Sequence, residues 1–142
     1  SMQALAEVKT ITATIKRGAK RLLDDPLFAA RLAKIEIDLE AMKITNLRML
    51  FRAQEQGAPG PETSILKIKG TVINQELRDL ARRALGPLAA PFPGHVGEGN
   101  ILFGPPDTAH NAARYFNNRK TSIFGGSNEI QRNILTKTML EL

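Results

Sequence analysis

Residues 25–56 read DPLFAARLAKIEIDLEAMKITNLRMLFRAQEQ, and this stretch decides the fold. Asp25 can cap a helix, and Pro26 suits its first position because no intrahelical N–H is lost there. Phe28, Leu32, Ile35, Leu39, Met42, Asn46, Met49 and Ala53 then step by fours and threes along one face of an α-helix. A second stripe, Ile37, Ile44, Leu47 and Phe51, widens the apolar face. The helix from Pro26 to Gln56 is therefore expected to be the central rod of the fold, packed on more than one side.

The neighbours on either side are also helical. Leu5, Val8, Ile11, Ile15, Ala19 and Leu22 predict a first helix from about Met2 to Leu23, stopped by Asp24-Asp25-Pro26. Gly57-Ala58-Pro59-Gly60-Pro61 breaks the chain after the rod. A third helix, about Pro61 to Leu85, carries Leu66, Ile73, Leu77, Leu80 and Ala84, with Ile65, Ile68 and Val72 alongside. Gly70 within it costs about 1 kcal/mol relative to Ala and marks an expected close approach between helices. A long Gly/Pro-rich connection, Gly86 to Pro106, precedes a fourth helix opening at Asp107 or Thr108 and running through Arg119. A fifth, Ser127 to Leu142, offers Ile130, Ile134, Leu135 and Met139 to the core. No run alternates in the manner of a strand. The expected architecture is all-α: an up-and-down four-helix bundle, one domain over residues 1–142, with the long connection before the last helices. The chain opens inside an already periodic pattern, so a fragment of a longer polypeptide is expected.

Composition narrows the function classes. With 42% hydrophobic and 24% charged residues among 142, the chain can bury a working core. The absence of cysteine removes disulfides and thiolate chemistry and fits a cytoplasmic location. His95 and His110 stand apart from any ligand-spaced cluster, so no metal site is expected. The net charge of +6 is spread over several helices, and aromatics make up only 5%, so nucleic acid is not the expected partner. No apolar run is long enough to span a membrane. Glu36, Asp38 and Glu40 fall on different faces of their helix and read as solvated charges, as does Glu7. Gly97-Glu98-Gly99-Asn100 lacks the strand and helix that a phosphate loop needs.

Two turns remain. Ile123-Phe124-Gly125-Gly126-Ser127-Asn128-Glu129-Ile130-Gln131-Arg132-Asn133-Ile134 joins a double glycine to a hydroxyl residue and an amphipathic helix. The glycines can take positive φ and come close to a partner without a Cβ in the way. Ser127 can accept a hydrogen bond from the N–H of Glu129 or Ile130, and the helix points its free N–H groups back at the glycines. Such a corner either serves as a bend or receives an anion or polar ligand. The second turn, Leu85-Gly86-Pro87-Leu88, also places glycine beside a helix end.

The run from Phe124 to Ile134 closely resembles the C-terminal signature of the acyl-CoA dehydrogenases, usually Tyr-(Glu or Gly)-Gly-Thr-x-(Glu or Gln)-Ile-Gln-Arg. The resemblance extends through Arg119, the Ala84-Leu85-Gly86-Pro87 turn and the run Leu32 to Ile37. It implies the C-terminal helical bundle of a flavoenzyme that oxidises the α,β bond of an acyl-CoA thioester. FAD is the implied cofactor, and a homo-oligomer (dimer or tetramer) or mixed assembly is implied, with an electron-transfer acceptor as a further partner. Carried over by position, Ser127 and Glu129 contact FAD, and Gly126 lies beside the acyl thioester. Gly86 and Pro87 receive the adenine end of a partner subunit's FAD.

The departures carry information too. Gly125 occupies the usual place of the catalytic Glu and cannot take a proton. The resemblance then implies either a base supplied from upstream of Ser1 or a non-catalytic subunit of a mixed assembly. The family's Arg-x-x-Phe-Gly flavin clamp is missing, with Arg17 or Arg21 as its nearest substitutes, and Arg83 stands where Gln is usual. Two other classes remain in view: a helical interaction module without the chemistry, and a basic nucleic-acid-binding bundle.

Overall fold

A computed structural model describes residues 2–57, 60–90 and 109–140. His95, the Gly97–Asn100 run, the expected fourth-helix starts at Asp107 and Thr108, and most of the Gly/Pro-rich connection lie outside the described residues. Within them the chain is an all-α bundle of α1 (Met2–Thr14), α2 (Pro26–Gln56), α3 (Glu62–Leu85), α4 (Asn111–Asn118) and α5 (Asn128–Met139).

The rod forms where its sequence places it. The Asp25 carboxylate accepts the N–H groups of Leu27 and Phe28 at 2.9 and 3.3 Å, and Pro26 opens the helix. Gly57, at φ 76°, closes it in the left-handed conformation that glycine adopts without strain. Phe28, Leu32, Ile35 and Leu39 are buried with Ala4, Leu5 and Val8 of α1 and Ile73, Leu77, Leu80, Ala81 and Ala84 of α3. α3 runs back along α2, stitched at intervals by Arg52–Glu62, Lys69–Asp38 and Arg31–Asp79 ion pairs. Exposed pairs of this kind each contribute well under 1 kcal/mol, so the apolar seam sets the packing and the ions trim its register.

Four expectations are corrected. The first helix stops at Thr14 rather than Leu23; a hairpin of β1 (Lys16–Arg17) and β2 (Lys20–Arg21) follows, turning at Gly18 with φ 64°. Leu22 still reaches the core, at 1% exposure, but from a short 3₁₀ turn, which is why its spacing imitated a helix. The second stripe of α2 is not packed within the chain: Ile37 is 70% exposed and Phe51 66%. Nor do Ile130, Ile134 and Met139 of α5 enter the core: all three are exposed, and the one buried residue of the helix is Asn128, bonded to Lys67 of α3. Finally, Glu7 is not a free surface charge. It accepts Arg78 Nη1 of α3 at 2.6 Å and Arg114 Nη1 of α4 at 3.3 Å, joining three helices.

Gly70 does face α2. An added Cβ would stand 3.4 Å from Met42 Cε, at the short end of ordinary van der Waals contact, so the approach is near without demanding glycine.

Candidate functional site

The glycine corner is built from α3 outward. Along one edge of that helix Lys67, Thr71 and Gln75 recur every four residues and so share a face. The Gln75 amide donates to the carbonyls of Asn118 and Arg119 at 3.4 and 3.3 Å. The Thr71 hydroxyl lies 3.4 Å from the Thr121 carbonyl. Lys67 Nζ donates to Ser122 O at 3.3 Å and Asn128 Oδ1 at 2.7 Å. These contacts hold a 3₁₀ turn (Arg119–Ser122) and the head of α5 antiparallel to α3. Sequence reading missed all three residues. Their signal was a polar row at four-residue spacing inside an otherwise amphipathic helix.

Between those two clamped segments the chain projects outward. Ile123 and Phe124 are 70% and 69% exposed, and the Lys120 ammonium sits 5.6 Å from the Phe124 ring centroid. Gly125 and Gly126 take φ of 63° and 88°, the conformation expected of them. A Cβ on Gly125 would enter open space, whereas one on Gly126 would stand 2.9 Å from the Gln131 amide nitrogen. Ser127 caps α5, its hydroxyl accepting Ile130 N–H at 3.3 Å, as the sequence anticipated. Glu129 is exposed beside it, 3.6 Å from Arg132. A hydrogen bond from its own N–H, the Ser127 hydroxyl and the Arg132 charge hold its carboxyl below the usual carboxylate range. A carboxylate so stabilised is a poor proton acceptor, and Gly125 offers none. The corner thus presents backbone donors, one hydroxyl, a helix N-terminus and cations, which suit binding rather than proton abstraction.

The second turn lies elsewhere. Gly86 adopts φ 56° and ψ −128°, a region open to glycine and strained for other residues, with open space where a Cβ would stand. Pro87 follows in a 3₁₀ turn, Gly86–Ala89. Arg17 of the hairpin donates to Arg83 O at 3.1 Å, just before this turn, while Arg21 is engaged by Asp24. Lys67 and Gly86 are separated along α3 by roughly 28 Å at the helical rise per residue. Gly126, Ser127 and Glu129 are therefore brought together, and Gly86 with Pro87 is held at the opposite end of the same helix.

The family model for the acyl-CoA dehydrogenase C-terminal domain matches residues 1–140. The chain belongs to that family. It is also similar to a chain in the crystal structure of the ChsE4-ChsE5 complex from Mycobacterium tuberculosis, at 26% identity and a TM-score of 0.72. That similarity covers 99% of this chain and 35% of the other, so the acyl-CoA dehydrogenase C-terminal domain here spans about a third of that relative. No match was found among curated proteins. Among the described residues of the domain no helix is long and apolar enough to cross a membrane, and no cluster of potential metal ligands occurs.

Proposed function

We propose that this domain forms one wall of the FAD and acyl-thioester site of an acyl-CoA dehydrogenase. The observation that carries the reading is the corner itself: two glycines at positive φ leading into a hydroxyl-capped helix, with little side chain between backbone donors and solvent. The donor set suits the group. Ser127 and the free N–H groups at the head of α5 would hold the flavin, Glu129 would contact it, and Gly126 would let the thioester approach the backbone. FAD, when bound, supplies the hydride acceptor for α,β-dehydrogenation. At the far end of α3, the open left-handed turn at Gly86 and Pro87 would receive the adenine end of a partner subunit's FAD, with Arg17 rather than Arg21 placed beside it. In this reading the domain binds and orients; a base removes the substrate α-proton from another part of the parent protein.

Gly125 favours a second reading, a non-catalytic subunit of a mixed assembly. The relative above was crystallised as a complex of two named components, which is consistent with such an arrangement in related proteins.

The test uses the parent polypeptide with its upstream domains. It should copurify with yellow flavin that bleaches on addition of a suitable acyl-CoA. Gly126→Val should disturb flavin retention far more than helix content, since the backbone strain of a side chain at φ 88° and its contact with the end of Gln131 are confined to the turn. A parent protein that stays colourless after FAD is supplied overturns the reading. One that binds flavin but never bleaches with acyl-CoA supports the non-catalytic subunit.

A further inference from the structure

Among the described residues Lys67 is the one lysine that is not exposed; the other eight all are. Drawing an ammonium out of water is costly, and the cost is ordinarily offset by a carboxylate. Lys67 has none. Its Nζ donates to two neutral oxygens, Ser122 O at 3.3 Å and Asn128 Oδ1 at 2.7 Å, and it forms no ion pair among the described residues. Glu129, the acid in the first turn of α5, pairs instead with Arg132.

The place of that charge decides what it can do. Asn128 opens α5, so the ammonium stands behind the positive end of that helix, where an anion is favoured and a cation is not. In the free chain two positive features thus meet at Asn128. They act together favourably when negative charge arrives on the open side of the corner, where Gly125 and Gly126 carry no side chain. The field reaches that side. After the hydrogen bonds from its own N–H and the Ser127 hydroxyl, and the charge of Arg132, the charge of Lys67 also helps hold the exposed Glu129 carboxyl below its usual range.

We propose that Lys67 is a positioning residue whose uncompensated charge raises the reduction potential of the flavin held at the corner. Reduction adds negative charge to the flavin ring, so a fixed cation behind the wall favours the reduced form over the oxidised one. Lys67 acts through Asn128 and the head of α5 rather than by contact with the reacting atoms. This role rests on the flavin-wall reading above, and it gives the polar row of α3 an electronic effect as well as a fastening one.

Two variants separate charge from fastening. Lys67→Gln keeps an N–H donor for Asn128 and loses the charge, whereas Lys67→Arg keeps the charge. In the FAD-loaded parent polypeptide, Lys67→Gln should lower the ratio of reduced to oxidised flavin about tenfold at a fixed potential, which is about 30 mV for a two-electron couple. Lys67→Arg should stay near wild type. A second readout needs no flavin. In the chain alone, NMR titration of the Glu129 carboxyl should move up toward the ordinary glutamate value in Lys67→Gln and stay down in Lys67→Arg, because a nearby cation favours the ionised carboxylate. Circular dichroism checks that both variants keep their helices. Three results overturn this role alone: a loaded Lys67→Gln at the wild-type potential, a Lys67→Arg that falls as far as Lys67→Gln, or a Glu129 that titrates identically in all three proteins. A parent that takes up no FAD overturns the flavin-wall reading itself, and this role with it.

Discussion

At the scale of single residues, Asp79 concentrates more charge contacts than any motif pointed to. Its carboxylate accepts Arg82 Nη2 at 2.9 Å and Arg83 Nε at 2.5 Å, with Arg31 of α2 3.5 Å away. Partial burial works against its charge, but the hydrogen bonds from Arg82 and Arg83 outweigh that and hold the carboxyl below its usual range. A lowered folded-state pKa stabilises the fold above the unfolded value of about 3.9 and loses that contribution as pH falls through the folded value. Asp79→Asn should therefore melt below wild type at neutral pH, and the gap should close on acidification below about pH 4. A gap independent of pH would assign the loss to packing. The residue scale is also where sequence reading was most accurate about conformation. Asp25, Ser127, Gly125 and Gly126 adopt the roles their side chains, or lack of them, permit, because caps and positive φ are local properties. The role of Glu7 was illegible, since its partners lie on other helices; Asp79 meets Arg82 and Arg83 within α3, and only its contact with Arg31 crosses to α2.

At the scale of elements, α2 and α3 were legible almost to the residue, because long uninterrupted periods leave little choice. The end of α1 was not: the hairpin returns Leu22 to the same core that another helical turn would have reached. The attachment of α5 was also misread. Its apolar residues suggested burial, yet Asn128 is its one buried residue, tied to Lys67. Lys67→Met should therefore strand the buried Asn128 oxygen at a local cost of about 1–3 kcal/mol. Amide hydrogen exchange should speed up in α5 and the turn before it, while α2 and α3 keep their protection. Uniform acceleration throughout would show that the corner and the core open as one unit.

At the scale of the whole molecule, the two turns assigned to flavin stand at opposite ends of α3, roughly 28 Å apart by the helical rise. If the proposed reading holds, one chain offers a wall at each end and encloses neither site. Titrating the isolated chain with FAD should produce no saturable quenching of flavin fluorescence; tight stoichiometric binding would mean that the bundle holds a complete pocket. The sequence carried the family and the fold, but it could not show this separation, which depends on α4 and the 3₁₀ turn running back along α3. The polar fastening of α5 has one more consequence. Chaotropes act in proportion to the surface that unfolding exposes, and detaching a helix with a single buried residue exposes little. Opening of α5 should then be nearly insensitive to urea, persisting in plain buffer as a small-scale fluctuation beneath the global transition.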